Sequence, residues 1–129
     1  MQQLKLWLWF QTALDGAFGL AFFAAPSILY ITGLLPPGPN LLPRILAVVA
    51  LILALTLGLA AKRPAESSAL LLVANGARLA TATALFLSAT LDPTAHPLLR
   101  LAFSGDLAFV VLTVLLQVRA GIPLLPGDA

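Results

Sequence analysis

Four long apolar segments, joined by short connections, constrain the fold of this 129-residue chain more than any other feature. They cover about residues 4–34, 41–61, 64–91 and 97–119. A helix of about 20 apolar residues is long enough to cross a hydrocarbon core of about 30 Å. Short connections make successive helices antiparallel. The sequence therefore predicts an all-α polytopic membrane protein, with an antiparallel four-transmembrane-helix bundle as its single domain.

Composition argues against a soluble domain and against a nucleic-acid-binding protein. Hydrophobic residues make up 60% of the chain and charged residues only 9%, whereas a soluble domain has about 25% charged residues. The seven basic residues form no cluster longer than Lys62-Arg63, so nucleic-acid binding is not expected either.

Proline and glycine mark the expected ends of the helices. Pro26 predicts a kink or a break near the outer end of the first segment. Asn40 is a plausible N-cap for the second helix, and Pro64 is expected to open the third. The fourth helix should stop at Gly121.

Basic residues near the segment ends predict the orientation of the chain. Four lie on one side and two on the other, which favours both termini in the cytoplasm under the positive-inside rule. Trp7 and Trp9 fit an aromatic anchor at the inner interface, and we expect a bacterial inner (cytoplasmic) membrane. The two sets are Lys5, Lys62, Arg63 and Arg119, against Arg44 and Arg100.

The residues available for chemistry are few. The chain has no cysteine, and its single histidine, His96, lies in a predicted loop. We therefore expect no metal site and no cofactor bound by this chain alone, although His96 could be a lone axial ligand to a neighbouring protein's pigment. Lipid, quinone or pigment could still lie at its surface.

Three ionisable residues lie in the middle of apolar segments: Asp15, Arg78 and Asp106. At 1.5 Å per residue, Asp15 is about 15 Å from the inner end of its helix, and the other two are roughly 20 Å from theirs. A charge at the bilayer centre costs at least about 2.5–3.5 kcal/mol, and more without a partner. We therefore expect all three to face inward, with Arg78 bridging the two carboxylates.

Polar neighbours support this buried charge cluster: Gln11, Asn75, Thr113 and Gln117 lie on the same helix faces. One arginine between two aspartates leaves a formal surplus of one negative charge, and the carboxylates should titrate as a coupled unit. We interpret the cluster as a buried ion pair that fixes helix register. The alternative is a site that binds a cation, a proton or a polar headgroup.

Small residues form stripes through which helices can approach closely. We expect most of them to pack within the bundle; the alternative is an interface with another protein. The stripes comprise Gly16 and Gly19 beside Ala13, Ala17 and Ala21 in the first segment. They also comprise Ala47, Ala50, Ala54, Gly58 and Ala61 in the second, and Ala69, Ala74, Gly76, Ala77, Ala80 and Ala84 in the third.

Several short motifs occur along the chain: Gly16 and Gly19 before Pro26, Arg44 and Gly58 in the second segment, Arg63-Pro64, Gly76-x-Arg78 and Gly105-Asp106. With these motifs, the layout resembles the small four-helix membrane proteins of the DoxX-like type. The resemblance implies a four-helix bundle that serves as a membrane subunit near quinone-linked redox chemistry, and it assigns no role to any residue.

The small size and the scarcity of cofactor ligands predict a non-catalytic accessory subunit of a larger respiratory or photosynthetic electron-transfer complex. Its partners would be membrane lipids and other membrane-protein subunits, and a homo-oligomer is also compatible. The alternative is a small transporter or a proton- or ion-binding protein that uses Asp15, Arg78 and Asp106. An enzyme acting on lipid or quinone has less support. Leu14-Asp15 and Ser104-Gly105-Asp106 match the motifs of intramembrane aspartyl proteases only in part.

Overall fold

The computed structural model describes residues 1–32, 41–91 and 97–126, and every regular element in these ranges is helical. Four of the helices have more than twenty residues each, as the apolar segments predict. The elements are α1 (Gln2–Ala24), α2 (Ser27–Ile31), α3 (Leu41–Lys62), a 3₁₀ turn (Pro64–Glu66), α4 (Ser68–Leu91) and α5 (Pro97–Arg119).

The first apolar segment forms two helices, because the chain breaks at Ala25 and Pro26. Proline has no backbone N–H to donate to the preceding turn, and α1 ends with the Ala25 N–H bonded to the Ala21 carbonyl. The predicted interruption at Pro26 is confirmed, and a single helix over residues 4–34 is wrong. Residues 33–40, which include the expected N-cap Asn40, lie outside the described residues.

The start of the third segment differs from the prediction. Pro64 opens a single 3₁₀ turn rather than the long helix, and α4 begins only at Ser68. Ser67 ends this turn: its N–H donates to the Pro64 carbonyl and its hydroxyl donates to the Arg63 carbonyl. A proline in the first turn suits either kind of helix, so the sequence did not distinguish them.

The end of α5 is as predicted. Gly121 adopts φ +74°, and its N–H bonds to the Val118 carbonyl, while the Ile122 N–H bonds to the Gln117 carbonyl. This is a Schellman motif, in which glycine supplies the left-handed residue. Ile122 folds back and is buried.

The ends of the long helices meet in one apolar cluster. Leu4 near the start of α1, Ala61 near the end of α3, Leu71 near the start of α4 and Ile122 just after α5 all belong to it. Successive long helices therefore run in opposite directions. α1 packs along α3, and α4 packs along α5.

Glycines bring α1 and α3 close together. A Cβ atom added at Gly19 would lie 2.7 Å from Leu51 Cγ and 3.0 Å from the Ala47 carbonyl oxygen. One added at Gly58 would lie 3.3 Å from Cγ2 of Thr12, and one at Gly16 would lie 3.9 Å from Ala54 Cβ. The predicted packing within the bundle therefore holds for Gly16, Gly19, Ala54 and Gly58, and Ala50 is half-buried beside them.

The same expectation is wrong for other small residues. Ala13 and Ala17 on α1 are exposed, because they lie on a different face of the helix from Gly16 and Gly19. On α4, Ala74 is buried but Gly76, Ala80 and Ala84 are exposed. These residues offer small exposed surfaces on the outside of the helices.

Two stretches of the described residues are long and apolar enough to cross a membrane: Pro43–Lys62 in α3 and Arg100–Arg119 in α5. The apolar segments of the sequence predict four such spans. α1 and α4 both have polar residues at mid-helix, which are Gln11, Asp15, Asn75 and Arg78.

Candidate functional site

Arg78 joins three helices through its guanidinium group. Its Nη2 contacts Oδ2 of Asp15 on α1, and its Nη1 lies 3.2 Å from Oδ1 of Asp106 on α5. Arg78 itself is 5% exposed. The expected bridge between the two carboxylates is present.

A third contact of the guanidinium extends the charge cluster into a neutral hydrogen-bond network. Arg78 Nε donates to Gln11 Oε1 over 2.9 Å, and Gln11 Nε2 donates to the hydroxyl of Thr113 over 3.0 Å. Trp7 Nε1 donates to the same hydroxyl over 2.8 Å, while Thr113 donates to the Phe109 carbonyl. A hydroxyl group has one donor and two acceptor positions, so Thr113 is fully satisfied.

An aromatic group covers one side of the arginine. The Cζ atom of Arg78 lies 5.0 Å from the centroid of the Phe109 ring, within the range of a cation–π contact. The Trp7 ring meets Phe109 edge-on at 5.0 Å. The cation therefore has polar contacts at its donor atoms and an aromatic contact near its central carbon.

Two of the predicted supporting residues lie outside this network. Asn75 is half-buried and makes no hydrogen bond with the other polar residues of the described network. Gln117 is buried but donates to the Pro123 carbonyl, so it stabilises the turn after α5. Its Oε1 is buried without a hydrogen-bond partner.

Trp7 and Phe109 also contact the network, which the sequence did not predict. Trp7 was expected to anchor the chain at a membrane interface, but its indole is half-buried and donates to Thr113. The available signal was spacing, since Trp7 lies one helical turn before Gln11 and Phe109 one turn before Thr113. Trp9 is exposed.

The two carboxylates differ in exposure. The Asp15 side chain is 10% exposed, whereas that of Asp106 is 22% exposed. Both form a hydrogen bond with the same arginine, and the three residues together have a formal charge of −1. The surplus charge is therefore more accessible at Asp106 than at Asp15.

The groups around Arg78 are two carboxylates and several neutral polar groups. Both aspartates contact Arg78, and the neighbouring polar groups are an amide, a hydroxyl and an indole. Within residues 1–32, 41–91 and 97–126, no group of three or more His, Cys, Asp or Glu side chains could hold a metal ion. His96 lies outside these ranges.

No family model matches the chain, and comparisons with curated proteins and with solved structures find no match either.

Proposed function

We propose that this chain is a non-catalytic, four-span accessory subunit of a larger membrane complex, in which Asp15, Arg78 and Asp106 fix the arrangement of its helices. The observation that supports it most directly is the distribution of polar and apolar groups. The side chains of Gln11, Asp15, Arg78, Asp106 and Thr113 lie between the helices and form one connected network of contacts. Large apolar side chains lie on the outside of the long helices.

The outer side of α5 illustrates this distribution. Thr113 and Gln117 are buried, while the opposite side of the helix is an exposed apolar surface. Such a surface suits lipid tails or a neighbouring transmembrane helix. It is lined by Ser104, Leu107, Ala108, Val111, Leu112 and Leu115.

The proposed membrane is the bacterial inner membrane, with both termini in the cytoplasm. The basic residues Lys5, Lys62 and Arg119 lie at the end of the helices where the apolar cluster closes the bundle. Four basic residues at this end against two at the other favour it as the cytoplasmic end. The DoxX-like resemblance supports an electron-transfer complex as the larger assembly.

Native electrophoresis tests the proposal. Membranes are solubilised in a mild detergent, and the proteins that migrate with the tagged chain are identified by mass spectrometry. We expect co-migration with a large oxidoreductase or reaction-centre complex, and a smaller amount of that complex when the gene is deleted. Migration as a free monomer or a small homo-oligomer, with every large complex intact after deletion, contradicts the proposal.

A small transporter or ion-binding protein is the second candidate, favoured by the surplus negative charge and the partial exposure of Asp106. The test is a neutral variant with Asp15→Asn, Arg78→Gln and Asp106→Asn, reconstituted in liposomes. A transporter should lose pH- or ion-dependent flux in this variant while it still assembles. Equal flux from the variant and the unmodified protein rules out transport by the cluster.

A further inference from the structure

We propose that the seam between α1 and α5 is the docking surface for a partner transmembrane helix, which places one lysine or arginine side chain beside Asp106. The seam comprises the facing stripes Trp7, Gln11, Leu14 and Phe18 on α1 and Ala102, Asp106, Phe109 and Thr113 on α5. This inference rests on the proposed function and identifies the chemistry of the partner.

On α1, burial decreases along the stripe from Gln11 to Phe18. Its residues follow one another at spacings of four, three and four, so they share one side of the helix. Gln11 is buried and bonds to Thr113 on α5, and Trp7 also bonds to Thr113. Leu14 is half-buried, and Phe18 is 48% exposed. The side of α1 that faces α5 is therefore uncovered toward Phe18.

Burial also decreases along the facing stripe on α5, from Thr113 to Ala102. Thr113 is buried, Phe109 and Asp106 are half-buried, and Ala102 is exposed. Because the two helices are antiparallel, Ala102 and Phe18 lie at the same end of the seam. The seam is closed around Thr113 and opens beyond Asp106.

The open part of the seam has room for another helix. Gly105 is exposed, and among the described residues no atom would lie within 4 Å of a Cβ atom added there. Small residues such as Gly105 and Ala102 allow the backbones of membrane helices to approach closely.

Charge complementarity identifies the partner. Arg78 compensates only one of the two carboxylates, and an uncompensated charge in a bilayer is costly. Asp106 is the more exposed of the two aspartates and lies where the seam opens. A basic side chain from the partner would complete a neutral set of two acidic and two basic groups.

The experiment uses a synthetic leucine–alanine transmembrane peptide with a single central lysine, and the same peptide with leucine in its place. The chain has no cysteine, so Gln2→Cys provides a single labelling position at the exposed start of α1. Energy transfer between the labelled full-length protein and each peptide is measured in liposomes at several lipid dilutions. We expect at least tenfold tighter association of the lysine peptide, and loss of this preference in Asp106→Asn.

Two glycine variants test the shape of the seam without changing any residue of the charge cluster. Gly105→Leu fills the open part of the seam and should weaken binding of the lysine peptide about tenfold. Gly76→Leu is the matched control, because Gly76 on α4 is also exposed, and no atom of the described residues lies within 4 Å of an added Cβ atom. It should leave binding unchanged. Circular dichroism confirms that each variant is folded.

Three results overturn the inference. The first is equal binding of the two peptides, and the second is unchanged binding of the lysine peptide in Gly105→Leu. The third is self-association of the chain that excludes both peptides, because a second copy would then occupy the seam. The liposomes contain no native complex, so peptide binding is measured independently of the accessory-subunit proposal. If the chain binds the lysine peptide but co-migrates with no complex in native electrophoresis, only the accessory-subunit proposal is contradicted.

Discussion

Arg78 on α4 donates a hydrogen bond from Nε to Oε1 of Gln11 on α1, over 2.9 Å and across 67 residues of sequence. Nε2 of the same Gln11 side chain donates to the Thr113 hydroxyl on α5. Gln11 therefore connects the charge cluster to the neutral part of the network, and both its donor and its acceptor are used. Gln117 provides a contrast, since its Oε1 has no partner.

This contrast predicts unequal effects of two chemically identical substitutions. Gln11→Leu removes an acceptor from a buried cation and should lower the free energy of unfolding by about 2 kcal/mol. Gln117→Leu loses the bond to the Pro123 carbonyl but also removes an unpaired acceptor, so its cost should be below about 1 kcal/mol. Equilibrium unfolding of the purified protein in mixed micelles measures both. Equal losses would contradict the assignment of Gln11 to the network.

The charge cluster predicts a loss of stability that a second set of substitutions restores. Arg78→Leu leaves two partly buried carboxylates without their cation and should lower the free energy of unfolding by about 3–5 kcal/mol. The neutral variant with Asp15→Asn, Arg78→Gln and Asp106→Asn should recover most of this loss. Arg119→Leu, at an exposed position, is the matched control and should have little effect. A neutral variant as unstable as Arg78→Leu would show that the cluster does more than compensate charge.

The contact between α1 and α3 predicts a steric effect at Gly19. Gly19→Leu would place side-chain atoms against Leu51 and the Ala47 carbonyl, and we expect a loss of about 1–3 kcal/mol from overpacking. Gly76→Leu, in open surroundings, should instead raise the stability by about 0.5–1 kcal/mol, because glycine is a poor helix former. Thermal unfolding followed by circular dichroism distinguishes the two. If Gly76→Leu instead lowers the stability, another part of the molecule must pack against the side of α4 that carries Gly76.

The turn after α5 predicts a backbone effect. Gly121→Ala forces a residue with a Cβ atom into φ +74° and should cost about 1–2 kcal/mol. Gly105→Ala has normal helical backbone and open surroundings, so it should be neutral or slightly stabilising. The same unfolding measurement compares them. If the two variants are equally stable, the left-handed turn at Gly121 does not contribute to folding.

The sequence alone predicted the long helices and the contact of Arg78 with both aspartates. Charged residues inside apolar segments have few favourable places, and the helix rise puts Asp15, Arg78 and Asp106 at similar depths. Antiparallel helices that share that depth can then bring the three together.

Other features depended on information that spacing does not contain. Ala13 and Ala17 have the same four-residue spacing as helix-packing motifs, and only the observed pairing of α1 with α3 shows that the face of Gly16 and Gly19 is the one used. Trp7 at the start of a helix has the pattern of an interfacial anchor. Its bond to Thr113 depends on the position of α5, which the sequence does not give.

The contact between Asp15 and Arg78 also has a consequence for biosynthesis. The two residues are 63 positions apart, so at about 5–20 residues per second Asp15 is synthesised several seconds before Arg78. Asp106 and Arg78 are only 28 positions apart on successive long helices, and they can pair as α5 is completed. If the chain is the proposed membrane subunit and its helices enter the bilayer in order of synthesis, Asp15 on α1 has no cation partner until α4 arrives. The insertion machinery would have to retain α1 during that interval.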